Sequence, residues 1–324
     1  MRRIDIDLLR SIAIISVVIS HTMAFPIGAI GVQLFFFVSG YLLAEFSKDF
    51  SRRSFLIYRA FRLFPLAFLM VVLFHFRFES ITQLVQNVFL IQTLFPGYIS
   101  YPGGWSISYE WLFSLLISTG VLTFSRNLRF LIILISVIAQ VYLYLKASGF
   151  FGSLTSEKWF EPLLMLLANV SFFVFGVSLR KGDVSIGHRF SAFVLVASLV
   201  LILFTLASPY LLSVWFLFVC SLSSLLLSSQ NYLDTKLNSP QKNLIHKIGK
   251  YTYGLFCGHF IVMIGLSNLI IDGLVFDQWL LFHLGVFGYL VNFGLVFSLA
   301  YFFASISYRY LEKPSMNFAR SVLR

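Results

Sequence analysis

Residues 4–24 read Ile4-Asp5-Ile6-Asp7-Leu8-Leu9-Arg10-Ser11-Ile12-Ala13-Ile14-Ile15-Ser16-Val17-Val18-Ile19-Ser20-His21-Thr22-Met23-Ala24. A helix needs about 20 such residues to cross a bilayer. The stretch is apolar enough to do so, yet it carries Asp7, Arg10 and His21. Arg2 and Arg3 ahead of an apolar run also fit a signal peptide. However, Asp5, Asp7 and Arg10 stand where the signal's apolar core should begin, and no persuasive cleavage site follows His21. The run at 6–24 is therefore read as an uncleaved first membrane span.

The rest of the chain is written in the same style. Of 324 residues 59% are hydrophobic and only 11% charged, against about 25% charged in soluble domains. Such a chain cannot cover itself for water, but it can face lipid. Phenylalanine is abundant (39 residues) and aromatics reach 18%, which suits lipid-facing and interfacial surfaces. Further apolar segments lie near 29–46, 61–78, 106–124, 129–146, 160–180, 189–207, 209–228, 251–271 and 280–307. An eleventh, at 82–95, is brief and holds Gln83, Gln86, Asn87 and Gln92.

Charge decides the status of that eleventh segment. With ten spans and the N-terminus inside, only Arg77, Lys146 and Lys158 of the 24 basic residues fall outside, as the positive-inside rule asks. Counting 82–95 as a span would put the later basic loops on the wrong side. It is read instead as an interfacial or re-entrant helix on the outer face, leading into the loop 96–104. The expected fold is an all-α integral membrane bundle of about ten transmembrane helices plus this short one. Both termini are expected in the cytoplasm, and residues 1–324 form a single domain.

A net charge of +11 invites a nucleic-acid partner. The basic residues form no single patch or stripe, so that class is excluded. Cys220 and Cys257 both sit inside apolar segments. No Cys–His cluster has metal-ligand spacing, so neither a disulfide framework nor a metal site is expected.

Ionisable groups inside spans cost about 2.5–3.5 kcal/mol each on insertion scales, so those present point to a cavity or site. Arg10 and His21 are eleven residues apart and share one helical face, roughly 16 Å apart along the axis. Asp7, one turn from Arg10, is placed to pair with it. Snorkelling of Arg10 and a simple terminal role for His21 are the plain alternatives. In the second segment Ser39 and Gly40 are small enough for close helix packing. Arg59 and Arg62 are three apart at the cytoplasmic mouth of the third span. They can grip phosphate by paired hydrogen bonds or simply set topology.

The outer loop ends Gly103-Gly104-Trp105-Ser106-Ile107-Ser108-Tyr109-Glu110-Trp111. Glu110 falls in the opening turns of the helix that follows. It reads as level with His21, so that a His21–Glu110 pair would make the imidazole a general base. His259 lies mid-span and is read as hydrogen-bonded structure. Glu312-Lys313-Pro314 caps the bundle, and His75, His188, His246 and His283 attract no role.

Taken in order, these residues resemble the acyltransferase 3 family of polytopic bacterial membrane O-acyltransferases. The resemblance rests on Ile6-Asp7-Leu8-Leu9-Arg10 with His21, on Phe36-Phe37-Val38-Ser39-Gly40, and on Arg59-Ala60-Phe61-Arg62 with Pro65. It continues through Trp105-Ser106-Ile107-Ser108-Tyr109-Glu110, the stretch Tyr253 to His259, and Glu312-Lys313-Pro314. Leu8 replaces the family's usual glycine, and Tyr109 its usual small aliphatic. The resemblance implies a donor, acyl-CoA and usually acetyl-CoA, on the cytoplasmic side. It implies a glycan acceptor, such as O-antigen or exopolysaccharide, beyond a bacterial inner membrane.

His21 and Glu110 would then be catalytic, with His21 either deprotonating the sugar hydroxyl or briefly carrying the acyl group. Arg10, Arg59 and Arg62 would hold the donor, and Asp7, Ser39, Trp105 and Ser106 would support the site. The family's optional hydrolase-like domain is not expected here. A transporter or flippase for an anionic substrate is the rival class, and a non-glycan acceptor the rival substrate.

Overall fold

The computed structural model describes residues 3–23, 27–49, 51–120, 125–147, 160–184, 187–204, 212–271 and 274–323. Arg2, Pro26, Lys158 and Arg324 lie outside the described residues. The described chain is almost wholly helical. Its one departure is a two-residue antiparallel ladder, Ile270 opposite Val275 and Ile271 opposite Leu274.

The first three helices are α1 (Ile4–Thr22), α2 (Gly28–Asp49) and α3 (Arg52–Leu73). A serine side chain starts α3: Ser51 accepts from the Ser54 amide at 3.1 Å, a cap worth about 1 kcal/mol. Pro65 lies inside this helix and has no N–H for the Phe61 carbonyl. The hydroxyl of Ser315 supplies the missing donor at 2.6 Å.

The segment at 82–95 is no span. It forms an eight-residue helix, α4 (Ile81–Val88), then a short 3₁₀ turn (Gln92–Leu94). Eight residues are far too few to cross. Its polar side chains instead tie the loop down: Asn87 donates to the Ile99 carbonyl at 2.8 Å and Gln92 to the Gly104 carbonyl at 3.0 Å. That loop feeds α5 (Gly104–Ser118), whose N-cap Gly103 has φ +76. A side chain there would be strained and would also strike the rings of Phe256 and Phe260.

The following helices are α6 (Arg126–Ala147), α7 (Phe160–Lys181), α8 (His188–Phe204), α9 (Leu212–Ser228) and α10 (Gln230–Lys236). Then come α11 (Ser239–Ser267), α12 (Phe276–Leu284), α13 (Val286–Ser307), a π turn at Tyr308–Glu312, and α14 (Lys313–Val322). Two expectations change here. The polar stretch at about 229–250, expected as a cytoplasmic loop, is mostly helix; α11 starts within it because Asn238 and Gln241 form a reciprocal capping box with Pro at the first turn, a strong start signal. The apolar run 280–307 is two helices, broken at Gly285, whose φ of +54 ends α12.

Buried side chains of α1, α2, α3, α5, α7 and α11 make one core, with Leu9, Phe37, Leu63, Phe113, Phe173 and Leu255 all inside it. The closest approach is between α2 and α7. A Cβ on Gly40 would collide with the Phe173 carbonyl, and one on Gly176 with the Phe37 carbonyl. The outer faces are apolar instead of charged: Phe193 is 70% exposed and Phe287 73%. That inversion is what a lipid solvent permits.

Five described helices are long and apolar enough to cross a membrane, or six if α9 and α10, bent by 62°, count as one span. First-segment helix α1 is not among them, since Asp5, Asp7 and Arg10 break its apolar run. At fifteen residues, α5 is too short.

Candidate active site

Seven residues along α3, roughly 10 Å up its axis, Arg59 is buried at 2% exposure. Six residues along α5 lies Glu110. The two meet in the interior: Arg59 Nη2 stands 2.7 Å from Glu110 Oε1. Ser39, on α2, donates to the same oxygen at 3.0 Å. Arg59 Nε donates to Ser114 Oγ at 3.0 Å, and Ser114 in turn donates to the Glu110 carbonyl. Three helices thus converge on one carboxylate. Taking two charges out of water is costly, so such a pair persists only when its remaining donors and acceptors are satisfied. Here they are.

This cluster borders a cavity of about 200 Å³. Glu110 and Ser39 form one wall with Ser106, whose hydroxyl donates to the Gly103 carbonyl at 2.9 Å. Arg10, Arg62 and Lys250 bring positive charge, and Glu312, in the π turn, a second carboxylate. Arg59 does not line the cavity; it sits behind Glu110 and holds it. Trp105 is half-buried with its ring edge-on to Tyr109 at 5.9 Å, outside the lining.

Behind Arg10, Asp7 is buried at 1%. It accepts from His246 Nδ1 at 2.7 Å and pairs more loosely with Arg10 at 3.7 Å. His246 is a partner that its isolated place in a polar stretch concealed. The pattern His246, Gly249, Lys250, Tyr253 at i, i+3, i+4, i+7 puts all four on one face, and that spacing was the available signal. Gly249 lets this face close on Asp7, and Lys250 and Tyr253 reach the cavity.

His21, in the last turn of α1, stands apart from this cluster. Its ring lies 5.4 Å from that of His259 and 4.9 Å, edge-on, from Phe260. The expected His21–Glu110 pair is therefore corrected: Glu110 is bound to Arg59 and Ser39. The physical reason is that a cation beside a buried carboxylate outcompetes a neutral imidazole.

His259 is fully buried. Its Nδ1 donates to the Leu255 carbonyl at 3.2 Å, while Nε2 has no partner. Phe256 joins the two regions, lining the Glu110 cavity and resting edge-on against His259 at 5.8 Å. His21 opens instead into a second cavity of about 240 Å³ at the far end of α1, shared with Asp277, Tyr289 and Asn292.

A helical bundle with lipid-compatible faces, buried ionic clusters and two polar cavities strung along its first helix is a polytopic membrane protein with a functional interior. The acyltransferase 3 family model, described as an acyltransferase domain, matches residues 3–308, and the chain belongs to that family. No curated protein and no solved structure in the comparison matches it.

Proposed function

We propose that the chain moves an acyl group, usually acetyl, from cytoplasmic acyl-CoA to a hydroxyl of a cell-surface glycan such as O-antigen or exopolysaccharide. In this reading about ten helices cross the bacterial inner membrane, with both termini in the cytoplasm. One observation carries it. The two cavities lie at opposite ends of the face shared by Arg10 and His21, and only the Arg10 end is rich in cations. A thioester donor with an anionic head enters at Arg10, Arg62 and Lys250, where guanidinium groups match phosphate oxygens. An acceptor hydroxyl arrives at His21.

His21 takes the hydroxyl proton as the oxygen attacks the thioester carbonyl. The carbon–sulfur bond breaks, and His21 returns the proton to the departing thiolate. Products are the ester and free CoA. Arg59 fixes Glu110 within the donor cavity, so that it acts on the donor side of the reaction and not on the imidazole.

The test is the alkali-labile acetate on envelope glycans of cells expressing the full chain and fed labelled acetate. Wild type should add ester and His21→Ala should add none at equal protein level. Ester formation by His21→Ala at the wild-type rate would remove His21 from the chemistry.

A further inference from the structure

We infer that the cavity between α12 and the end of α1 is the acceptor subsite, and that it takes a single uncharged, hydroxyl-rich ring. The inference deepens the acyl-transfer reading above and rests on it. Three features of the cavity point the same way.

Its lining joins His21 and Thr22 to Asp277, Tyr289 and Asn292, with no lysine or arginine among the described residues. An anionic ligand would meet a carboxylate and no countercharge. A neutral polyol meets acceptors and donors suited to hydroxyls: a carboxylate to accept, an amide to do both, and a phenol to bond or to stack. Apolar groups from Met263 and Leu281 offer the C–H faces of a ring somewhere to rest.

Size gives the second constraint. The cavity holds about 240 Å³, below the roughly 300–1,000 Å³ of pockets that enclose drug-sized ligands. It admits one ring, not an oligosaccharide. Asp277 is exposed at the rim on α12, so further units of a chain would extend past it.

The third feature is the unpartnered Nε2 of fully buried His259. Since Nδ1 donates to the Leu255 carbonyl, Nε2 carries a lone pair. Leaving it unmet is costly in a dry interior. His259 lies behind the cavity wall with its ring 5.4 Å from that of His21, so a hydroxyl delivered to His21 arrives one ring away from a vacant acceptor.

The experiment uses the full chain and two readouts: alkali-labile acetate on envelope glycan, and binding of radiolabelled acetyl-CoA to purified protein in lipid nanodiscs. Asp277→Asn, Tyr289→Phe and Asn292→Ala should each lower glycan acetylation at least 10-fold at normal membrane levels. Acetyl-CoA binding should stay within twofold of wild type. In purified protein, methyl glucopyranoside at millimolar concentration should accept acetyl or slow transfer, and the glucuronate analogue should do neither.

Wild-type transfer by the three variants would overturn the assignment, as would a parallel loss of acetyl-CoA binding. Preference for the uronate would overturn the neutral class. A wild-type chain that adds no alkali-labile acetate would instead remove the acyl-transfer reading itself.

Discussion

The Arg59 guanidinium holds the Glu110 carboxylate at 2.7 Å where α3, α2 and α5 converge. Arg59 is 3% exposed and Glu110, at the cavity wall, 19%, so the pair is largely shielded from water and each member leans on the other. Arg59→Met should cost about 3–5 kcal/mol, the usual consequence of stranding one member of a buried pair. The double change Arg59→Met with Glu110→Leu should recover most of that loss while remaining inactive. Thermal unfolding in detergent micelles reads both. Equal destabilisation in the single and double variants would show that the pair is not what holds these helices.

The arginines at 59 and 62 should fail in different ways. Arg62 lines the Glu110 cavity, so under the proposed function Arg62→Lys should keep stability but weaken acetyl-CoA binding. Losing a bidentate contact costs about 1.5–3 kcal/mol, or roughly one to two decades in affinity. Arg59→Lys should instead lower stability first, because lysine cannot reach both Glu110 and Ser114. Equilibrium binding and unfolding, run on both variants, separate the roles.

At the α2–α7 contact, Gly40→Ala drives a methyl into the Phe173 carbonyl. Overpacking of this kind costs about 1–3 kcal/mol, and a backbone obstacle cannot rotate away. Gly176→Ala strains the same interface against Phe37. The double variant should therefore cost less than the two losses added, since the first methyl already opens the gap. Strict additivity in unfolding measurements would mean the two glycines do not share one contact.

His259 offers a test of structure against function. A buried nitrogen without a partner costs about 1–3 kcal/mol, so His259→Leu should leave thermal stability unchanged or raised. Acetylation of glycan should nevertheless fall, because the hydroxyl beside His21 loses its neighbouring acceptor. A large drop in unfolding temperature would return His259 to a purely structural place.

Much of this was legible in the chain. Arg10, Arg62, Ser39 and Ser106 line the cavity: Arg10 was conspicuous as a charge in an apolar run, Arg62 as one of a pair at a helix mouth, and Ser39 and Ser106 through the family resemblance. That 82–95 is too short and polar to be a span was legible too, from its glutamines and the charge that follows. Depth was not. The third apolar run begins at 61, but the helix begins at Arg52, which carries Arg59 inside the bundle instead of at its mouth.

Glu110, for its part, lies six residues beyond Gly104, far enough into the bundle to meet Arg59. Both errors made His21 look like the natural partner of Glu110. Gly285 hid within an apolar run whose composition says nothing of backbone angle. The helical start of α11 hid because polar residues with good caps form helix as readily as apolar ones.

Pro65 has a consequence that reaches across the whole length of the chain. Its missing N–H leaves Phe61 to be met by Ser315, and the neighbouring Leu63 carbonyl accepts from Tyr253 at 2.7 Å. The donors belong to helices made roughly 190 and 250 residues after the acceptors. A third helix inserted early in synthesis therefore waits, incompletely hydrogen-bonded, for partners from the chain's last quarter. The part of α3 that carries Arg59 and Arg62 is fixed only when those partners arrive. The wall of the cavity that holds Arg62 is therefore a late product of assembly, closed by the last helices to be made.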